Sequence, residues 1–381
     1  AEVTPGVQVG SRDGRFDRGA VVAFLLKYGV SIAFVALIAF FAFATNGVFT
    51  QRENLLNLSR QATMIGIISM GMTIVMISGG IDLSAGGIVG AGGIVVALLQ
   101  GDHGWSVWAS IAGGLVLGLV LGLWNGVFVS RFGIAPFIVT LGMMSIARGI
   151  ALVLSEGASI VPRDPAFAKI ASRNISNTVS IVLIVLLAVA LGGSYLARGL
   201  RGHSGVSGAL VAKLLLVFVL MAVALHIVRD AGIPLQVAIW ALIAVASGFI
   251  LRRTRFGRNV YAVGGNESAA WLSAVDVRNV KLTVYAISGL LAAVSAIILT
   301  SRQAAAVPQQ GSLYELDAIA AVVIGGTGLN GGYGTITGTL VGVGIVASTN
   351  NGLSLMNIDP LWQYIVKGLI ITFAVLLDRR R

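Results

Sequence analysis

The chain has 381 residues, 56% of them hydrophobic and only 11% charged, with a formal net charge of +11. A soluble chain carries roughly 25% charged residues, so a surface that faces water throughout is excluded and a chain solvated mostly by lipid hydrocarbon is predicted. There is no cysteine, and the three histidines, His103, His203 and His226, are scattered, which excludes a disulfide framework, thiolate chemistry and a His-built metal site; no cofactor is expected.

Residues 1–20 are polar, with Arg12, Asp13, Arg15, Asp17 and Arg18, and read as a cytoplasmic arm rather than a secretory signal. Apolar runs follow at 21–45, 62–78, 84–100, 106–129, 134–154 and 179–196. They continue at 209–228, 233–251, 282–299, 315–326, 335–350 and 359–377. The prediction is an all-α transmembrane bundle over 21–378 with a short tail at 379–381 and about twelve spans. The tenth run is short, and Gly79 and Gly80 split the second from the third, so broken or re-entrant helices are expected. Threading from a cytoplasmic N-terminus puts Arg131, Arg198, Arg201, Arg252, Arg253, Arg255, Arg258, Arg278, Lys281 and Arg379 to Arg381 inside. The outside loops hold Arg52, Arg60, Arg163, Lys169, Arg173, Arg229 and Arg302, partly balanced by Glu53, Glu156, Asp164 and Asp230. This asymmetry places both termini in the cytoplasm and explains the positive charge without a nucleic-acid partner.

Gly114, Gly118, Gly122 and Gly126 recur at every fourth residue, and Gly334, Gly338 and Gly342 do so again. Each ladder leads to an Asn-Gly pair, Asn125-Gly126 or Asn351-Gly352, and then to Pro136-Phe137 or Pro360-Leu361. Such spacing puts the glycines on one helix face, where backbones can approach closely. The two ladders run in opposite senses across the membrane, which predicts an inverted repeat of spans two to five and nine to twelve. On that plan 179–228 is an inserted pair.

Gly79-Gly80-Ile81-Asp82-Leu83-Ser84 sets a carboxylate in an apolar stretch. A charge there costs roughly 2.5–3.5 kcal/mol on insertion scales. The segment reads as a helix cap that also lines a pathway, and Glu315 and Asp317 take the matching place in the second half. Gly326, Gly328 and Gly331 form a G-x-G-x-x-G, but its flanks are membrane segments, so a turn between spans is predicted rather than a dinucleotide site. Neither a P-loop nor a G-x-S-x-G elbow occurs, so the chain is read as non-enzymatic. In the loop 252–281, Asn266 caps a short helix that Glu267 opens and Ala269, Ala270, Trp271 and Leu272 continue. This helix is either a membrane-surface element or a knob for a soluble partner.

These residues resemble the branched-chain amino acid/sugar class of ABC importer permeases, and most nearly its xylose-type members. The likeness lies in Gly80-Ile81-Asp82-Leu83-Ser84, Trp124-Asn125-Gly126, Pro136 to Gly142, Phe256-Gly257-Arg258 and the Gly264 to Val277 loop. It continues in Glu315 to Ala321, Val323 to Thr327, Asn351-Gly352 and Trp362 to Gly368. The family commonly has Gly where Ala274 follows Ser273, which affects the end of the loop helix. The resemblance implies a homodimer in the bacterial inner membrane, working with cytoplasmic ABC ATPase subunits and an external sugar-binding protein. It makes Gly265, Asn266, Glu267, Ala269, Ala270, Trp271, Leu272 and Ser273 the element that couples to the ATPase. Asp82, Asn125, Asn351, Gln363 and Tyr364 are the expected pathway residues, since amides and aromatic rings suit a neutral, hydroxyl-rich sugar. An ion-coupled secondary transporter would also use an inverted repeat, but it needs ionisable groups at mid-membrane, and only Arg148, Lys367 and Asp82 are available.

Overall fold

A computed structural model describes residues 18–201, 208–359, 361–363, 365–369 and 372. Most of the N-terminal arm, the 202–207 link, Tyr364 and the 379–381 tail lie outside the described residues, as do the side chains of Arg198 and Arg201. The described chain is all-α. In order it forms α1 (Arg18–Ala44), α2 (Arg52–Ile77), α3 (Ala85–Gly101), α4 (Val107–Ser130), α5 (Pro136–Ser155), α6 (Pro165–Ser172) and α7 (Asn177–Arg201). Then come α8 (Gly208–Val228), α9 (Leu235–Arg253), α10 (Arg255–Gly265), α11 (Glu267–Leu272), α12 (Val277–Gln303), α13 (Tyr314–Ile324) and α14 (Ile336–Leu355). A further helical stretch occupies 361–363 and 365–369. Among the described residues the only β pairings are isolated bridges, Ile160 with Ala306 and Asn174 with Pro234. Six helices among the described residues, α2, α4, α5, α7, α9 and α12, are long and apolar enough to cross a membrane. A lipid core offers no partner for free backbone groups, so helices that satisfy their own are the expected solution.

Burial sorts the elements. The apolar window of α2 is 89% buried and that of α12 is 72%, against 6% for α7. So α2 and α12 form the centre, and α7 and α8 pack on each other at the edge. The C-terminal end of α8 is tied back by Arg52 of α2, which pairs with Asp230 and donates from Nε to the Ile227 carbonyl at 3.2 Å.

The first glycine ladder is the contact between α4 and α12. A Cβ on Gly118 would lie 2.5 Å from both the Gly289 carbonyl and Ala293 Cβ, and one on Gly122 would lie 2.4 Å from the Tyr285 carbonyl. The second ladder seats α14 on α13, where a Cβ on Gly342 would lie 1.8 Å from the Ala321 carbonyl. Close approach of this kind is how helices gain packing in lipid, where no hydrophobic force drives them together.

Two helices occur where no element was predicted, α6 and α10, and α2 starts at Arg52 rather than at residue 62. In each case polar residues hid the helix from a hydropathy reading. Asp164 caps α6 by accepting from Ala166 N at 2.8 Å, with Pro165 at its first position. Thr254 caps α10 by accepting from Gly257 N at 3.1 Å.

Candidate functional site: a buried break beneath a capped loop helix

The break between α2 and α3 is built on Gly79, whose φ of +84° lets the chain reverse after Ile77. Asp82 then turns inward and is fully buried. Its Oδ1 accepts from Ser84 N at 2.9 Å and Ser84 Oγ at 2.5 Å, and its Oδ2 accepts from Ser288 Oγ of α12 at 2.6 Å. Ser84 Oγ in turn accepts from Asn125 Nδ2 at 2.8 Å. The predicted side-chain cap on α3 is absent: Ser84 is the N-cap residue and makes no cap bond, and Asp82 instead closes a turn on Ser84 N ahead of the helix. The carboxylate has only neutral donors around it, and α2, α3, α4 and α12 converge on it. Tyr285 Oη and Asn125 Oδ1 are buried there without a partner.

The second half repeats the theme with charge. Asp317, in the first turn of α13, accepts from Lys367 Nζ at 2.9 Å and from Asn350 Nδ2 at 3.3 Å. This pair accounts for Lys367 within an apolar run. Glu315 is buried two residues earlier, with Oε2 unpartnered, and a Cβ on Gly86 would fall 1.9 Å from that oxygen. Asn351 exchanges two amide bonds with Asn54, at 2.9 and 3.0 Å. Gln363 is half-buried and donates to the Ile358 carbonyl at 3.1 Å. The expected pathway residues therefore do not form one cluster. Asp82 and Asn125 meet through Ser84, while Asn351 and Gln363 stand apart from them; Tyr364 lies outside the described residues.

The loop helix α11 is capped as its sequence predicts, with Asn266 Oδ1 accepting from Ala269 N at 2.9 Å. Its end is a left-handed turn at Ala274, φ +61°, where Val275 N bonds the Ala270 carbonyl at 3.1 Å and Ala274 N bonds the Trp271 carbonyl at 3.0 Å. Ala274 thus takes the conformation that glycine adopts most readily. Gly265, Asn266, Glu267, Ala269 and Ser273 are exposed, and Trp271 and Leu272 are 69% and 77% exposed. Ala270 instead turns into the core, and Glu267 pairs with Lys281 at 2.7 Å.

Three glycine turns meet directly under this helix. Gly332 N donates to the Ile77 carbonyl at 2.9 Å. A Cβ on Gly264 would lie 1.7 Å from that carbonyl, and one on Gly331 would lie 2.8 Å from Gly79 Cα. Tyr261 Oη donates to the Gly334 carbonyl at 2.8 Å, and burial raises its pKa above the ordinary phenol value, which keeps the donor proton in place. The α2–α3 break, the end of α10 and the α13–α14 turn therefore touch backbone to backbone. The Gly79-Gly80 break and the Gly326 to Gly331 turn were legible in the sequence, whereas the end of α10 was not; nor was their meeting, because the three lie far apart along the chain.

A many-helix bundle with a buried polar break and an exposed, capped loop helix fits a membrane transport permease. The chain belongs to the family described as branched-chain amino acid transport system / permease component, which it matches over residues 54–375. It is 39% identical over 352 residues to the xylose transport system permease protein XylH of Escherichia coli, covering 91% of this chain and 90% of that protein. It is 37% identical to the Haemophilus influenzae XylH over 361 residues, covering 93% and 96%. It is 38% identical over 346 residues to the ribose import permease protein RbsC of Bacillus subtilis, covering 88% of each. No solved structure matches it.

Proposed function

We propose that this chain is the membrane-spanning permease subunit of an ATP-driven sugar importer, for xylose or a related monosaccharide. The observation that carries this reading is the similarity to xylose permeases along 91% of the chain. The chain itself performs no covalent chemistry. ATP is hydrolysed by cytoplasmic ABC ATPase subunits, and an external sugar-binding protein delivers the solute. Two copies of the chain form the unit in the bacterial inner membrane, with the pathway at their centre and both termini in the cytoplasm.

The arrangement has about twelve spans, some of them broken, in an inverted repeat with α7 and α8 as the inserted pair. Matching contacts support the repeat: α3 packs on α12 as α13 does on α2, α4 on α12 as α14 on α2, and α3 on α4 as α13 on α14. Coupling runs through α11. Its Trp271 and Leu272 are the apolar tip that a partner groove would cover, and the Asn266 cap with the Glu267–Lys281 pair holds the tip at a fixed angle. Alternating access then rocks the spans around the pathway. Gln363 and Tyr364 are the side chains assigned to its wall. Asp82, Asn125 and Asn351 are enclosed; the first two join the lining when the break rearranges, and Asn351 when its pair with Asn54 opens.

The test is reconstitution together with an ABC ATPase subunit and a sugar-binding protein of the same importer. ATP-dependent accumulation of xylose or another pentose is expected, and Leu272→Asp, on an exposed position, should assemble normally yet lose uptake and stimulated ATP hydrolysis together. Accumulation driven by an ion gradient without the ATPase would overturn the reading.

A further inference from the structure

A groove of ≈ 420 Å³ runs along the outer side of α9, with Leu187 of α7 and Leu340 of α14 among its walls. Val237, Ala244 and Gly248 line it along α9, and Arg252 and Thr337 close one end. From residue 237 to residue 252 the helix rises about 22 Å, more than the ~15 Å half-thickness of a hydrocarbon core. Apart from its end, the groove offers apolar surface only.

Two features point to an occupant. Arg252 pairs with no carboxylate among the described residues; its side-chain partner is Thr337 Oγ1, at 3.4 Å. Arg253, Arg255 and Arg258 are exposed nearby in the chain, and α14 begins at Ile336 beside Arg252, adding the positive end of a helix. Gly248 is the second feature. Unlike Gly118 and Gly122, it is not required by a close helix approach, for a Cβ there meets nothing nearer than Ile336 Cβ at 4.0 Å. A helix-interior glycine without a packing role weakens the helix, and what it leaves here is room in the groove.

We propose that this groove binds one acyl chain of an anionic glycerophospholipid, with the lipid phosphate on Arg252 and the Thr337 hydroxyl. A zwitterionic choline headgroup would set a second cation against an arginine cluster, whereas phosphatidylglycerol carries only the anion. The site is independent of the transported solute and of the coupling assignment.

The experiment is native mass spectrometry of the delipidated permease titrated with phosphatidylglycerol or phosphatidylcholine of identical chains. Wild type should retain phosphatidylglycerol about fivefold better, the effect of one basic contact near a lipid phosphate. Arg252→Gln should bring the ratio near one, Arg253→Gln should leave most of it, and Gly248→Phe should lower retention of both lipids. Equal retention by wild type, a preference that survives Arg252→Gln, or no effect of Gly248→Phe on either lipid would each overturn the proposal. So would a dimer that Gly248→Phe dissociates, since the face would then belong to a second copy of the chain.

Discussion

Ala274 carries a methyl group in a turn conformation that glycine adopts more readily. Its φ of +61° costs an L-residue with a Cβ roughly 1–2 kcal/mol, a cost absent for glycine. The two bonds that end α11 hold it there regardless. Ala274→Gly is expected to steady the end of α11 by about 1 kcal/mol after the extra unfolded-state entropy of glycine is deducted. Amide exchange at Val275 and Ala274 would then slow by roughly fivefold; faster exchange would show that the left-handed turn carries no strain. The cap at Asn266 was legible, because it is a local device with its acceptor three residues from its donor. The partners of Asp317 and Asp82 were not. Lys367 lies 50 residues from Asp317 and Ser288 lies 206 from Asp82, separations that no local pattern encodes. Glu267 illustrates the same limit, since its exposed charge is answered by Lys281 of its own chain.

At the scale of elements, the glycine ladder predicted a close-packed face on α4 but not its partner, which is α12. Gly118→Leu should force these two helices apart. A side chain there begins 2.5 Å from a backbone carbonyl that cannot move without its helix, so a cost of about 3 kcal/mol is expected. Gly142 of α5 is the control, as a Cβ there meets nothing within 4 Å and Gly142→Leu should be tolerated. Thermal unfolding of the two variants in one detergent compares them; equal midpoints would remove the ladder from the list of packing faces. Long apolar helices were visible because lipid imposes a single demand on them. The short α10 was not, although Gly257, Val260 and Val263 recur at every third residue and all point inward. That spacing was the signal available, and the arginines around it obscured it.

On the scale of the whole molecule, the glycine junction joins the loop helix proposed to couple to the ATPase with the buried break proposed to meet the pathway. The loop helix α11 follows Gly264 and Gly265 directly, the buried Asp82 follows Gly79 and Gly80 within three residues, and the turn into α14 passes through Gly331 and Gly332. Their backbones are in contact with no side chain between them, so a displacement of one turn is opposed by main-chain atoms of the other two rather than by soft side chains. Packed structures transmit such shifts because they have few voids to absorb them. A push on α11 would then reach the break at Asp82 without crossing the bilayer. Gly264→Ala tests this. Its Cβ would overlap the Ile77 carbonyl at 1.7 Å, so the turns must separate, whereas Gly265→Ala places its Cβ 4.0 Å from Gly332 Cα and leaves them in place. Hydrogen exchange across both variants in the assembled transporter is the measurement. Gly264→Ala is expected to raise exchange at residues 78–84 and 328–334 as well as in α10 and α11, and to reduce stimulated ATP hydrolysis. Gly265→Ala should do neither. If the change from Gly264→Ala stays within α10 and α11 while 78–84 remains protected, the three turns touch without being coupled, and the proposed coupling would have to run through α12 instead, which begins at Val277, shortly after α11 ends at Leu272.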